Sequence, residues 1–235
     1  MKNVLKLMQT ALFPKRCGIC GEVVEFDKNL CGNCVDLPVI NPPFCPKCGC
    51  NKSECICKKR QKIREYKAVI APFYYEEQIQ QGILNFKMHS MPFLAESYGK
   101  ILADTVKKYY TLIDFDCVTY VPMRKSDEIK REFNQSKLLA KAVSEECDIP
   151  FSDLVVKKRK TKAQKRQSVT ERFVNMYDAF DLAKNVDVAG KIILLVDDVK
   201  TTGATLSSVA LTLKAYGAKA VYCVTIAVVK RRSHK

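Results

Sequence analysis

No stretch of the 235-residue sequence is apolar for long enough to span a membrane. The first thirteen residues also lack the long apolar core and the small-residue cleavage site of a signal peptide, and Cys17 follows soon after them. We therefore expect a cytoplasmic protein that begins with a short packing helix, whose apolar positions are Val4, Leu5, Met8, Leu12 and Phe13. A disorder signature is missing as well, because 47% of the residues are apolar.

Histidine is scarce. His89 follows the end of a predicted helix, and His234 lies in a basic tail. Neither has a partner that the sequence indicates, so we expect both on the surface and assign neither to a site.

Cysteine is abundant instead, and nine of the twelve cysteines lie between Cys17 and Cys57. Most of them form CxxC pairs in a chain without a secretion signal, a pattern that favours zinc thiolates over disulfides. Each CxxC turn directs two thiolates at one tetrahedral ion. The segment has too few apolar residues for a core of its own, so metal binding must supply its folding energy.

We predict two zinc ions held by two sets of four cysteines, Cys17, Cys20, Cys31 and Cys34 in the first and Cys45, Cys48, Cys55 and Cys57 in the second. Cys50 is then spare. A cross-braced arrangement, which joins the first CxxC pair to the third, and a disulfide scaffold are the alternatives. The isolated Cys117, Cys147 and Cys223 lie in apolar patterns and are expected in the core.

A basic linker at residues 58–67 separates the cysteine-rich segment from the rest of the chain. We place the boundary near Gln61–Ile63, which gives an N-terminal helix and zinc module at 1–62 and a second domain at 63–235. In this second domain strand patterns alternate with helix patterns, and this predicts an α/β fold with a parallel sheet flanked by helices. The strands are expected at Lys67–Tyr74, Asp116–Val121, Leu154–Val156, Ile192–Val196 and Ala220–Val229, and the helices at Glu76–Lys87, Phe93–Tyr110, Gln135–Cys147 and Leu206–Tyr216.

The stretch Lys191–Tyr216 contains the residues predicted to bind a ligand. Its apolar run Ile192–Val196 is typical of a strand buried on both faces, and Asp197 and Asp198 follow it. Ligands bind where such strands end. The two carboxylates suit neighbouring hydroxyls such as those of a ribose, directly or through Mg²⁺.

The turn after the acidic pair leads into a helix, whose N-terminal N–H groups and dipole suit a phosphate. Gly203 lets the backbone approach the anion, and the threonine hydroxyls can donate to it. We therefore predict a phosphate site formed by Thr201, Thr202, Gly203, Ala204 and Thr205. An ordinary strand–helix turn with a solvated acidic pair is the alternative.

The segment Ile193–Thr205 resembles the phosphoribosyl-pyrophosphate (PRPP) motif of type I phosphoribosyltransferases, with Lys200 where an apolar residue is commoner. The resemblance implies a type I phosphoribosyltransferase-like sheet, a PRPP ligand with Mg²⁺, and Asp197 and Asp198 as the catalytic pair. It also implies a pyrophosphate-binding loop after the strand that ends at Val121, where Arg124 and Lys125 would be the contacts. A solvated charged loop is the alternative there.

Two further segments extend the resemblance to the ComF family of competence-associated proteins. Residues 131–135 resemble its RGFNQ signature, with Glu132 in place of the glycine. Residues 157–175 resemble its flexible loop, and the part through Arg172 has a net charge of +7. This loop could close over a polyphosphate or lie along a nucleic-acid backbone through Arg159, Lys160, Lys165, Arg166 and Arg172, unless it is only a solvated charge run. A ComF protein also places a cysteine-rich zinc module first.

The formal net charge of +15 favours a polyanionic partner, and two zinc–thiolate sites would still leave about +11. Two functions follow as hypotheses. One is an active phosphoribosyltransferase that moves ribose 5-phosphate from Mg-PRPP to a nitrogen acceptor. The other, which the family resemblance implies and which we prefer, is help with single-stranded DNA import in natural transformation, with PRPP binding retained. Such a protein would work beside a membrane-associated helicase, at the inner face of the membrane.

Overall fold

The computed structural model describes residues 14–25, 27–57, 64–88, 91–158 and 179–230, without the side chain of Lys130. Several predicted features lie outside these residues. They are the helix at 1–13, the boundary near Gln61–Ile63, both histidines, and the loop contacts Arg159, Lys160, Lys165, Arg166 and Arg172.

The described part of the second domain alternates between strands and helices. The strands are β1 (Ala68–Ile70), β2 (Phe73–Tyr74), β3 (Cys117–Tyr120), β4 (Val155–Lys157), β5 (Phe180–Leu182), β6 (Ile192–Lys200) and β7 (Ala220–Val228). The helices are α1 (Glu77–Met88), α2 (Leu94–Tyr109), α3 (Lys125–Arg131), α4 (Gln135–Cys147) and α5 (Ala204–Ala215). The cysteine-rich segment contributes a single 3₁₀ turn, Lys52–Glu54, to these elements. No helix among the described residues is both long enough and apolar enough to cross a bilayer.

The main sheet is parallel throughout, which confirms the predicted fold class. Its order is β1–β7–β6–β3, and β2 pairs with β7 beyond the end of β1. The single strand predicted at Lys67–Tyr74 is therefore wrong in detail, because Pro72 has no N–H to donate and interrupts the pairing. The strand predicted at Leu154–Val156 is also displaced, since β4 pairs antiparallel with β5 outside this sheet.

Helices cover both faces of the sheet because β6 is apolar on both. Leu194 and Val196 pack in one buried cluster with residues of α2 and α4, such as Leu102 and Leu139. Ile193 and Leu195 pack in a second cluster with α5 residues, such as Leu206, Val209 and Leu213. Successive side chains of a strand point to opposite faces, so the continuous apolar run is explained. Tyr216, predicted as the last residue of this helix, is instead its C-cap and is 50% exposed.

The first half of the cysteine-rich segment docks on α1 and α2. The Tyr98 hydroxyl donates to the Ile19 carbonyl at 2.7 Å, and Asn85 Nδ2 donates to the Cys20 carbonyl at 2.6 Å. A Cβ atom on Gly82 would lie 2.0 Å from the Ile19 oxygen. The backbone around the first CxxC pair therefore rests directly on the surface of α1.

The second half of the segment covers an edge of the sheet. The Val69 N–H of β1 donates to the Pro46 carbonyl at 3.1 Å, and the Ile40 N–H donates to the Pro72 carbonyl at 2.7 Å. An uncovered edge strand is a template for pairing with another chain. The cysteine-rich segment thus protects the β1–β2 edge, while residues 150–152 bond to β3 at the opposite edge.

Candidate functional site

The acidic pair lies inside β6 and not after it. Pairing of β6 with β7 continues past Val196 through Asp197, opposite Thr225, to Lys200, opposite Val228. The predicted strand end at Val196 is therefore too early by four residues. Only Thr201–Gly203 remain as the turn into α5, so the carboxylates and the turn occupy one end of a single strand.

The turn itself has the conformation that its glycine was predicted to allow. Gly203 has φ +75° and caps α5, and a Cβ atom there would lie 2.9 Å from the Tyr66 hydroxyl. The Ala204 N–H donates to Thr202 Oγ1 at 3.2 Å. Thr201, Thr202 and Thr205 are exposed. The turn therefore presents hydroxyls and the N-terminus of a 12-residue helix to solvent.

Two side chains that the sequence analysis did not identify hold the carboxylates. Ser136 Oγ, in the first turn of α4, donates to Asp197 Oδ1 at 2.8 Å, and Lys87 Nζ, at the end of α1, lies 2.7 Å from Asp198 Oδ2. Asp197 Oδ1 also accepts from the Asp198 N–H at 2.9 Å. Ser136 directly follows the 131–135 signature, which was a usable signal, but nothing in the sequence distinguishes Lys87 from the other lysines.

Burial and a neighbouring charge perturb the pKa of Asp197. Burial and then the charge of Asp198 raise the pKa of Asp197 from an ordinary 3.8 to about 7, although Ser136, the Asp198 N–H and Lys87 act in the opposite direction. Proton binding by Asp197 is thus sensitive to pH near neutrality. Lys87 offsets part of the repulsion by pairing with Asp198.

The segment after β3 reaches the same edge of the sheet. The Val121 N–H donates to the Val196 carbonyl at 3.1 Å, which fixes this segment beside the acidic pair. The predicted loop is wrong in part, because Lys125–Arg131 form α3 with Arg124 as N-cap. Arg124 and Lys125 are both exposed there. Glu132 ends α3 with φ +66°, a left-handed conformation that a glycine at this position would adopt without strain.

The eight predicted zinc ligands form two separate clusters. One contains Cys17, Cys20, Cys31 and Cys34, and the other contains Cys45, Cys48, Cys55 and Cys57; within each, the sulfur atoms lie within 4.8 Å of one another. Four thiolates around one tetrahedral zinc at about 2.3 Å would have sulfurs about 3.8 Å apart. Both clusters suit such an ion, and neither follows the cross-braced alternative. Cys50 belongs to neither cluster.

Comparisons with known proteins agree with this architecture. A model of the double zinc ribbon domain matches residues 8–62, and a model of the phosphoribosyl transferase domain matches residues 134–235. The chain is 28% identical to competence protein F of Haemophilus influenzae, over 89% of this chain and 95% of that protein. This chain is similar to the ComF family over most of its length.

Other ComF-related proteins match over similar lengths. Competence protein ComFC of Bacillus subtilis is 29% identical over 77% of this chain and 75% of its own, and DNA utilization protein YhgH of Escherichia coli is 28% identical over 87% and 86%. Among solved structures, a glutamine PRPP amidotransferase from Bacillus subtilis superposes with a TM-score of 0.41 at 23% identity. That superposition covers 56% of this chain and about a quarter (26%) of the enzyme.

The double zinc ribbon and its two cysteine clusters confirm the predicted structural zinc. Zinc would hold the ribbon together through cysteine thiolates alone, since each cluster already contains four. Zinc binding would then supply the folding energy that the segment, with few apolar residues, lacks.

The second cluster can be tested with two cysteine variants. We expect Cys55→Ser to lower the zinc content from about two ions per chain to about one, because three thiolates no longer close the tetrahedral site. We also expect this variant to aggregate on warming, since the β1–β2 edge loses its cover. Zinc analysis and light scattering would measure both effects.

Cys50→Ser is the matched control, because Cys50 lies between the same ligands but outside the cluster. It should retain about two ions. Equal zinc content in the two variants would contradict the assigned ligand set.

The raised pKa of Asp197 predicts a pH-dependent stability. In the unfolded chain an aspartate has a pKa of about 3.9, whereas folded Asp197 titrates at about 7. Between these values the folded state binds more protons, so this group makes the protein less stable as pH rises. Asp197→Asn should therefore gain stability relative to the parent between pH 4 and pH 7, as measured by urea unfolding.

Asp181→Asn serves as a flat control over this range, because the Tyr216 hydroxyl lowers the pKa of this carboxylate and its titration lies below pH 4. It should not gain stability as pH rises. The raised pKa of Asp197 would be contradicted if the difference in free energy of unfolding between the parent and Asp197→Asn stayed constant from pH 4 to pH 7.

Proposed function

We propose that this ComF-like protein handles single-stranded DNA during natural transformation and binds Mg-PRPP, or a related phosphosugar, at the end of β6. The observation that carries the proposal is the position of the acidic pair and the threonine–glycine turn at one end of a single strand. In this arrangement one ligand can be held at both ends, by its hydroxyls and by its phosphate.

Each residue of the site has a distinct role in this proposal. The carboxylates of Asp197 and Asp198 accept hydrogen bonds from the ribose hydroxyls, and the backbone of Thr201–Thr205 donates to the 5-phosphate. Ser136 and Lys87 keep the two carboxylates oriented. Arg124 and Lys125 lie on the neighbouring segment and would face a pyrophosphate. Magnesium, when bound with PRPP, would offset the charge of that pyrophosphate.

The net positive charge of the chain and the names of related proteins support a role in DNA handling. The related proteins from Haemophilus influenzae and Bacillus subtilis are named for competence, and the one from Escherichia coli for DNA utilization. The chain carries a net charge of +15, which suits a nucleic-acid backbone. We propose Arg159, Lys160, Lys165, Arg166 and Arg172 as the contacts, and a membrane-associated helicase as the neighbouring partner at the inner face of the membrane.

Calorimetry with Mg-PRPP tests the pocket. The native protein should bind, and Asp197→Asn/Asp198→Asn should bind at least about tenfold more weakly, because two charged acceptors of the ribose hydroxyls are lost. Asp181→Asn, which removes a carboxylate on β5, should bind like the native protein. No heat from the native protein would overturn the phosphosugar site. Pyrophosphate release with a nitrogenous base present would instead favour the phosphoribosyltransferase activity.

The salt dependence of single-stranded DNA binding tests the second part. Fluorescence anisotropy at several salt concentrations should show that the logarithm of the binding constant falls steeply with the logarithm of the salt concentration. Lys165→Gln/Arg166→Gln should reduce this slope by about 0.7 per lost phosphate contact. Lys107→Gln/Lys108→Gln removes the same charge from the last turn of α2 and should leave the slope nearly unchanged. Equal slopes for the two double variants would argue against these contacts.

A further inference from the structure

Arg64 contacts the Thr201–Gly203 turn, which we call the phosphate turn after its proposed ligand. It belongs to the segment that follows the zinc ribbon. Its Nη2 donates to the Thr202 carbonyl at 2.5 Å, across 138 positions of sequence. Its Nε would lie 3.5 Å from a Cβ atom on Gly203. The guanidinium therefore borders the N-terminus of α5, at the turn assigned to the 5-phosphate.

Positive charge is unusual at this place. The N-terminus of a helix carries partial positive charge and favours anions over cations. Here the Arg64 guanidinium lies beside Gly203, and the first turn of α5 contains no acidic residue. Glu65 does not compensate, because its carboxylate pairs at 3.0 Å with Lys214 in the last turn of the helix. An anion at the turn would bring the Arg64 guanidinium and the helix dipole into a favourable arrangement.

The zinc ribbon holds this segment in place. The Tyr66 hydroxyl donates at 2.8 Å to the carbonyl of Lys47, which lies between the ligands Cys45 and Cys48. The Glu65 N–H donates to Ser207 Oγ in the first turn of α5 at 3.1 Å. Residues 64–66 are thus fixed between the second cysteine cluster and the turn, and this keeps the Arg64 guanidinium beside Thr202 and Gly203.

We propose that Arg64 is a further phosphate-binding residue, which the segment after the zinc ribbon supplies to the 5-phosphate end of the site. The inference rests on the proposed phosphosugar site and adds a guanidinium to its backbone and hydroxyl donors. A guanidinium binds phosphate oxygens through charge-assisted hydrogen bonds. Arg64 lies two residues past the predicted end of the zinc module, in the segment that connects this module to β1.

Arg64→Gln separates charge from structure, because the glutamine amide can still donate to the Thr202 carbonyl while the charge is lost. We expect it to raise the dissociation constant of Mg-PRPP about tenfold or more. The inhibition constant of ribose 5-phosphate, obtained from displacement of Mg-PRPP, should rise by a similar factor. The inhibition constant of pyrophosphate, which lacks the 5-phosphate, should change little. Arg64→Lys should recover part of the affinity.

Lys219→Gln is the matched control, since it removes one exposed charge at the start of β7, the opposite end of the sheet. Zinc content and thermal midpoint, measured for every variant, establish that the fold is retained. Native-like ribose 5-phosphate displacement in Arg64→Gln, or an equal loss for pyrophosphate, would overturn the role of Arg64 alone. Absence of Mg-PRPP binding to the native protein would overturn the site and this inference together.

Discussion

The parallel pairing of β6 with β7 is the constraint on which the candidate site depends. It runs from Ile192 opposite Ala220 to Lys200 opposite Val228, and it carries the acidic pair on one rigid strand that leads into the Thr201–Gly203 turn. Four consecutive β6 residues, Ile193–Val196, are fully buried, so burial of apolar surface on both faces keeps this strand in register. A site on a central strand is positioned more precisely than one on a loop.

The zinc ribbon takes part in the architecture of the second domain. Its first half rests on α1 and α2, and its second half covers the β1–β2 edge and binds Tyr66, whose hydroxyl lies beside the Thr201–Gly203 turn. Metal that folds the ribbon therefore also protects a sheet edge and fixes the segment that carries Arg64. A small module with little core of its own gains stability from these contacts, and the larger domain gains a covered edge.

Local patterns in the sequence predicted much of this fold. The helix predicted at Glu76–Lys87 forms at Glu77–Met88, and its Ile79, Ile83 and Phe86, which recur at helical spacing, are buried. Other elements were missed for physical reasons. The seven residues of α3 are mostly charged, and their one large apolar side chain, Ile129, is 79% exposed. The sequence of α3 therefore has no hydrophobic stripe from which a helix could be predicted. The extent of β6 was underestimated because partners on β7, and not apolarity, extend it through Asp197 and Asp198.

The sequence by itself determined the parallel α/β class, the presence of a cysteine-rich zinc module, and the motif of acidic pair, turn and helix, whereas the structure excluded the cross-braced grouping of the cysteines. These features depend on spacing between near neighbours, which periodicity and turn chemistry reveal. Only the tertiary structure decided that Ser136 and Lys87 hold the carboxylates and that Arg64 borders the turn. Such contacts join residues 61 to 138 positions apart, and they exist only because the folded sheet and the docked zinc ribbon bring those segments together.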